Sequence, residues 1–184
     1  MKKILKLSKA INHYQLLLDK SSFDFVNPGY LNLIFDFVPN PSEYPTQIRI
    51  IDPLYDEDLS KGCICDFPGE VSRCLILKTI LEKSRTVAII SFDALLFQDD
   101  PHNNQETNTI SDSKPWFGIP SYKQGLLYLL GIVDVDTATI SFDIWNDEEY
   151  LAGTDTPTVW GDGLYAVMVG RLYRLGRCIV IYLD

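Results

Sequence analysis

Basic charge, histidine and long apolar runs are all scarce in this sequence. The 184 residues contain 16 Lys and Arg against 25 Asp and Glu, which gives a formal net charge of −9. This charge argues against a general nucleic-acid binder or an anionic-membrane binder, because both partners are themselves negative. No apolar run approaches the roughly 18 residues of a membrane span, and Lys6 and Lys9 interrupt any secretory signal after the first residues. The sequence therefore predicts a cytoplasmic protein that binds neither membrane nor nucleic acid.

The residues that most often carry catalysis are also few. There are two histidines, His13 in a predicted helix and His102 in a polar segment, and neither lies beside an evident nucleophile. The chain has no Gly-x-Ser-x-Gly elbow and no phosphate-binding loop. The four cysteines lack the paired Cys-x-x-Cys spacing of zinc sites, so we expect reduced core thiols. The sequence thus assigns no catalytic residue, no metal ligand and no cofactor.

What is present fits a single globular domain over residues 1–184. Hydrophobic residues make up 46% of the chain and charged residues 22%, which is ordinary globular composition. A chain of this length buries roughly 70% of its unfolded surface and needs no disulfide or metal to fold. Residues 98–115 are mostly polar, which predicts a mobile loop inside the domain rather than a linker between two domains.

The apolar pattern predicts a β-rich α+β fold, a mostly antiparallel sheet or sandwich with an N-terminal helix and a C-terminal β-hairpin. In residues 2–20 apolar side chains recur every three or four positions, as on one face of a helix. Later segments are short, apolar and bounded by Pro, Gly or Asp, as strands are. Residues 164–169 and 178–183 predict the terminal hairpin. A helix competes with a strand over residues 75–83, and residues 121–130 fit a short helix.

Carboxylates dominate the stretch from Gln124 to Gly170, which has eight Asp or Glu and no Lys or Arg. Such a field would steer a basic protein toward it and repel phosphate backbones. The alternative is a solvated acidic face that only keeps the protein soluble. Asp134 and Asp136 would share one face of a strand, but their spacing matches no calcium loop. The predicted binding residues are Asp134, Asp136, Asp147, Glu148 and Glu149.

A turn is predicted at Gly161-Asp162-Gly163, ahead of the terminal hairpin. Glycines on both sides of Asp162 permit positive φ angles, and a short carboxylate can accept backbone N–H groups that lack ladder partners. We therefore expect Gly161 or Gly163 at positive φ and an Asp162 carboxylate bonded to backbone amides. A ligand or metal loop is the alternative interpretation.

The same turn belongs to a series of motifs that resembles a bacterial family. Gly161-Asp162-Gly163-x-Tyr165 and the following Val169-Gly170-Arg171 look like the C-terminal signature of the domain of unknown function 4241 family. The resemblance covers about residues 47–184, with Asp136 at an expected Gly position and residues 98–115 as an insertion. It implies a β-rich fold and no catalytic residue. The earlier motifs, in that family's order, are Asp52-Pro53-Leu54, Pro68-Gly69, Arg85-x-Val87-Ala88 and Val133-Asp134.

Two functional hypotheses follow from these observations. The first is a non-enzymatic protein-binding module, concretely a bacterial immunity protein that neutralises a basic toxin, because acidic charge is abundant and no catalytic constellation is evident. The alternative is a metal-dependent hydrolase or small-ligand-binding domain, which requires four carboxylates to meet in one pocket: Asp52, Asp134, Asp136 and Asp162. A subunit of a larger assembly is favoured if an exposed apolar patch forms at Trp116, Phe117 and Trp145.

Overall fold

Ten β-strands and two short 3₁₀ helices make up the regular structure of the computed structural model. The structure describes residues 32–40, 46–55, 58–68, 71, 73–81, 85–92, 127–147, 149–172 and 176–184. The 3₁₀ helices are Pro53–Tyr55 and Leu59–Lys61. In chain order the strands are β1 (Asn32–Phe37), β2 (Thr46–Ile51), β3 (Cys63–Asp66), β4 (Cys74–Leu81), β5 (Arg85–Ser91), β6 (Leu127–Val135), β7 (Thr139–Asn146), β8 (Glu149–Pro157), β9 (Gly163–Leu172) and β10 (Gly176–Tyr182).

The strands form two antiparallel sheets. The larger sheet has six strands in the order β1-β4-β5-β10-β9-β6, and the smaller has four in the order β3-β2-β7-β8. The prediction of a β-rich, antiparallel fold is therefore confirmed. The predicted terminal hairpin is also confirmed, because β9 and β10 are antiparallel neighbours with Val169 opposite Ile179.

The two sheets share one hydrophobic core. In β2 of the smaller sheet, Ile48 and Ile50 are fully buried, whereas Arg49 between them is partly exposed. The larger sheet contributes Ile90 of β5 and Ile179 of β10 to the same cluster. This alternation arises because successive side chains of a strand point to opposite faces. The arrangement is that of a β-sandwich.

The middle strands of the larger sheet are buried on both faces. Leu75 and Leu77 of β4 alternate with the core residues Cys74 and Ile76, and all four are buried. Strands buried on both faces have nearly continuous apolar sequences, which removes the period-two pattern. This is why the sequence pattern did not distinguish a helix from a strand at residues 75–83. In the structure, β4 continues to Leu81.

Several sequence predictions concern residues that lie partly or wholly outside the described ranges. The N-terminal helix predicted at 2–20 and the mobile loop predicted at 98–115 lie outside the described residues, which contain no α-helix. The short helix predicted at 121–130 is wrong for its last four residues, because β6 begins at Leu127. No helix within the described ranges is long and apolar enough to cross a membrane. All four cysteines are buried and none forms a disulfide.

Candidate functional site

The acidic residues predicted to bind a partner lie at two ends of the sandwich. Asp134 and Asp136 lie where β6 ends, just before β7 begins, and Asp147 and Glu149 lie where β7 ends and β8 begins. A strand of this length separates its two ends by roughly 25 Å. Glu148 lies outside the described residues. The length of β7 therefore separates these residues into two groups, and their role in binding stays a prediction.

At the first end, a buried carboxylate holds the turn between β6 and β7. Asp52 follows β2 and is fully buried. Its Oδ2 accepts hydrogen bonds from the backbone N–H groups of Asp136 at 2.5 Å and Thr137 at 2.8 Å. Its Oδ1 accepts one from Thr137 Oγ1 at 2.9 Å and one from the Leu54 N–H at 2.7 Å. Burial raises the pKa of Asp52, but these four hydrogen bonds outweigh it and hold the pKa below its ordinary value.

A tyrosine and a lysine lie beside the Asp136 carboxylate at the same end. The Tyr55 hydroxyl donates a hydrogen bond to the Asp136 carboxylate. Lys61 Nζ lies 3.5 Å from the centre of the Tyr55 ring. Its hydrogen bond with Tyr55 raises the pKa of Lys61, and the charges of Asp136 and Asp134 act in the same direction. Within the described ranges, no three His, Cys, Asp or Glu side chains are grouped so that they could hold a metal ion.

The Gly161-Asp162-Gly163 turn packs beside the β6–β7 turn. Gly161 has the expected positive φ, +79°. Its carbonyl oxygen accepts hydrogen bonds from Thr158 Oγ1 at 2.8 Å and from the Tyr165 hydroxyl at 2.7 Å. Asp162 is exposed, and its carboxylate accepts no hydrogen bond in the part of the chain that the structure describes. The predicted capping role of Asp162 is therefore wrong, because two hydroxyl groups hold this turn through the Gly161 carbonyl.

Between these two ends, polar and aromatic side chains occupy the outer face of the smaller sheet. In β7, Asp143 and Trp145 alternate with the buried Phe142 and Ile144 and so point away from the core. Arg49 of β2 lies directly opposite Asp143. We call this surface the outer face, and it is formed by Arg49, Ile64, Asp66, Ser141, Asp143, Trp145, Tyr150 and Asp155.

An arginine lies over an aromatic ring of the outer face. The Arg49 guanidinium carbon lies 3.9 Å from the centre of the Trp145 ring. Arg49 also donates hydrogen bonds from Nε to Gln47 Oε1 at 3.1 Å and from Nη2 to the Asp147 carbonyl at 3.2 Å. The Tyr150 ring meets Trp145 edge to face, with 5.6 Å between centres. Because Arg49 is fixed by these contacts, the aromatic rings form a preorganised surface.

A glycine lets Tyr150 lie close to two carboxylates. A Cβ atom at Gly153 would overlap Asp143 Oδ1 and would lie 2.9 Å from the Tyr150 hydroxyl oxygen. Burial raises the pKa of Tyr150, and the charges of Asp143 and Asp155 raise it further. Asp143 Oδ1 in turn accepts a hydrogen bond from Ser141 Oγ at 2.8 Å. The outer face therefore combines carboxylates, a phenol and an indole within a small area.

Sequence reasoning missed most of this surface. The alternation of Ser141, Asp143 and Trp145 with apolar residues was a usable signal, because it places the three on one face of a strand. The contribution of Arg49 had no such signal, since nothing in the sequence pairs β2 with β7.

Comparison with known proteins does not add a relative: no family model, no curated protein and no solved structure matches the chain. The resemblance to the domain of unknown function 4241 family stays a prediction.

Proposed function

We propose that the protein is a non-enzymatic binding module that acts in the cytoplasm and binds a basic protein through the outer face. The concrete form of this proposal is a bacterial immunity protein that neutralises a basic toxin. Membership of the domain of unknown function 4241 family belongs to the same proposal and rests on the order of the motifs. The observation that carries the proposal is the combination of carboxylates with exposed aromatic and aliphatic groups on one sheet face.

Charge supports a basic partner. Asp66, Asp143 and Asp155 lie on the outer face, and Asp147 and Glu149 adjoin it at the β7–β8 turn. A field of one sign accelerates encounter with a protein of the opposite sign and discourages nucleic acid. The guanidinium of Arg49 offsets part of this negative charge. Its contacts with Trp145 and Gln47 hold it at one position on the outer face.

Side-chain type supports a protein rather than a small ion as the partner. Tyr150 is 53% exposed and Ile64 is 40% exposed, although both belong to strands of a well-packed sheet. Aromatic residues at the centre of a surface with charges around them are typical of protein interfaces, where Trp, Tyr and Arg often dominate the binding energy. A surface that only maintained solubility would need the charges and not the rings.

The carboxylates at the β6–β7 turn give the proposal less support. Asp52 is occupied by four hydrogen bonds that hold a turn, and Asp136 accepts from Tyr55 next to Lys61. These contacts give Asp52 a structural role, so we place the partner surface on the outer face.

The test compares two exposed aspartates on different faces. Affinity capture from the native host supplies the partner, and its association rate is then measured with wild type, Asp155→Lys and Asp162→Lys. Both variants change the net charge by the same amount. We expect Asp155→Lys to slow association at low salt by about tenfold and Asp162→Lys to have a smaller effect. An acidic partner, a nucleic acid, or equal rates for the two variants would overturn the proposal.

A further inference from the structure

Strand β8 is an edge of the smaller sheet and forms one border of the outer face. The strand order β3-β2-β7-β8 gives it one paired neighbour, β7. Strand β1 lies close to β8 but belongs to the larger sheet and does not pair with it. In the described ranges, no strand pairs with β8 on the side away from β7 over any of its nine residues. An edge strand of this length is a template for pairing with another extended segment.

The last residues of β8 show which backbone groups point away from β7. Thr158, directly after the strand, donates its backbone N–H to the Ala138 carbonyl at 2.9 Å, on the side of β7. Opposite residues of antiparallel strands alternate between pairs that exchange hydrogen bonds and pairs that do not. Asp155 and Gly153 lie an odd number of steps from Thr158, so their N–H and C=O groups point away from β7. Pro157 has the same parity, as expected for a residue that has no N–H to give to a ladder.

Acidic and aromatic side chains lie beside these backbone groups on the outer face. Asp155 is exposed, and Tyr150 is 53% exposed. Neighbouring strands lie about 4.8 Å apart, so alternate side chains of an added strand would reach the Asp155 carboxylate and the Tyr150 ring. A Lys or Arg side chain suits both positions, because it forms a cross-strand ion pair with a carboxylate and stacks on an aromatic ring.

We propose that the partner pairs an extended segment with β8, as a fifth strand of the smaller sheet, and that Lys or Arg at alternate positions of this segment lies over the outer face. This inference rests on the proposed function, from which it takes the basic partner, and it adds how that partner is bound. Main-chain hydrogen bonds to Gly153 and Asp155 supply affinity, and the alternate side chains supply specificity.

A second copy of this chain is a poorer occupant of the same edge. Pairing two β8 strands would bring Glu149 and Asp155 of one copy beside the same carboxylates of the other. Like charges across neighbouring strands destabilise pairing, whereas opposite charges stabilise it. The charge of β8 therefore favours a basic segment over self-association.

The first test uses a short synthetic peptide that alternates Lys and Thr as the probe. Its affinity for the full-length protein is measured by chemical-shift titration at low salt. One control peptide has the same sequence with methyl groups on all backbone nitrogens, so it keeps every charge and has no N–H donors. A second control has Glu in place of Lys. We expect saturable binding of the Lys peptide and at least a roughly tenfold loss of affinity for each control, because main-chain hydrogen bonds or ion pairs are lost.

The second test compares two substitutions at one position of β8. Asp155→Asn and Asp155→Pro both remove the carboxylate, but only the proline removes the outward N–H group and places a ring in the path of an added strand. We expect Asp155→Pro to bind the Lys peptide about fivefold more weakly than Asp155→Asn does. Melting temperatures show whether both variants are folded.

Amide exchange tests the same edge in the unaltered protein. The N–H groups of Gly153 and Asp155 should exchange quickly and should be slowed by the Lys peptide, whereas the Thr154 N–H, which points toward β7, should be protected with and without it. This measurement and the peptide comparison decide the question if Asp155→Pro does not fold.

Three results would overturn strand addition: equal binding of the Lys peptide and its N-methylated form, equal binding of that peptide by the two folded Asp155 variants, or exchange at Gly153 and Asp155 that the peptide does not slow. These results leave the proposed function standing if association of a basic partner is slowed by Asp155→Lys more than by Asp162→Lys. If the captured partner is not basic, both the proposed function and strand addition by a basic segment are overturned.

Discussion

Replacing Asp52 by Asn tests how much of the stability of the sandwich depends on one buried carboxylate. The substitution keeps the size of the side chain and removes its charge. Each carboxylate oxygen of Asp52 accepts two hydrogen bonds, and three of the four donors are backbone N–H groups. An amide NH2 group in place of either oxygen would face at least one of those N–H groups, donor against donor. The Thr137 hydroxyl can rotate to accept, but the Leu54 N–H cannot.

The expected loss follows from the number of hydrogen bonds affected. A hydrogen bond to a charged group contributes roughly 1.5–3 kcal/mol, and a buried donor left without an acceptor costs about 1–3 kcal/mol. We therefore expect Asp52→Asn to lower the free energy of unfolding by about 3 kcal/mol. The matched control Thr137→Val removes one of the four bonds and should cost about 1 kcal/mol. Urea unfolding followed by tryptophan fluorescence measures both values, provided that the m-values agree.

The pH dependence gives an independent check on the same reasoning. The pKa of Asp52 in the folded protein lies below its ordinary value of 3.8. The ionised carboxylate therefore stabilises the protein fully above that value and loses its effect as the pH falls through the lower, folded pKa. The difference in stability between wild type and Asp52→Asn should be constant near neutral pH and should shrink below about pH 4. A difference under 0.5 kcal/mol at pH 7, or one that does not change in acid, would refute the role assigned to Asp52.

Three further predictions concern other sites. Gly153→Ala should lower the free energy of unfolding by about 1–3 kcal/mol in urea, because its Cβ overlaps Asp143 and crowds Tyr150; a neutral effect would show that the strand relaxes freely. Burial raises the pKa of Cys63 to about 11, so iodoacetamide at pH 8 should label this thiol only after unfolding, as mass spectrometry of labelled peptides can show. The hydrogen bond from Arg73 lowers the pKa of Asp36; Arg73→Ala should raise that pKa toward 3.8 in a carboxyl NMR titration, and an unchanged titration would contradict the pairing.

The sequence by itself determined that the fold is β-rich and where its terminal hairpin lies, but it did not decide between helix and strand at residues 75–81 and it predicted a helix at residues 127–130. Alternation around Asp143 and the apolar runs on either side of Gly170-Arg171 are local patterns, because the period of a strand is set by its own backbone. Net charge and the lack of a catalytic motif are also properties of the sequence alone. Period-two alternation fails for the middle strands of the larger sheet, since both of their faces are buried and both are apolar.

Only the tertiary structure decided which polar residues meet. Asp52 contacts the backbone of Asp136, 84 residues away along the chain, and Arg49 reaches Trp145 because β2 pairs with β7. A strand's pattern says which of its side chains share a face but not which strand lies beside it, and that choice depends on how the whole core packs. The same limit applies to the acidic residues: Asp136 and Asp147 are near one another in sequence but lie at opposite ends of β7, because an extended strand carries them apart.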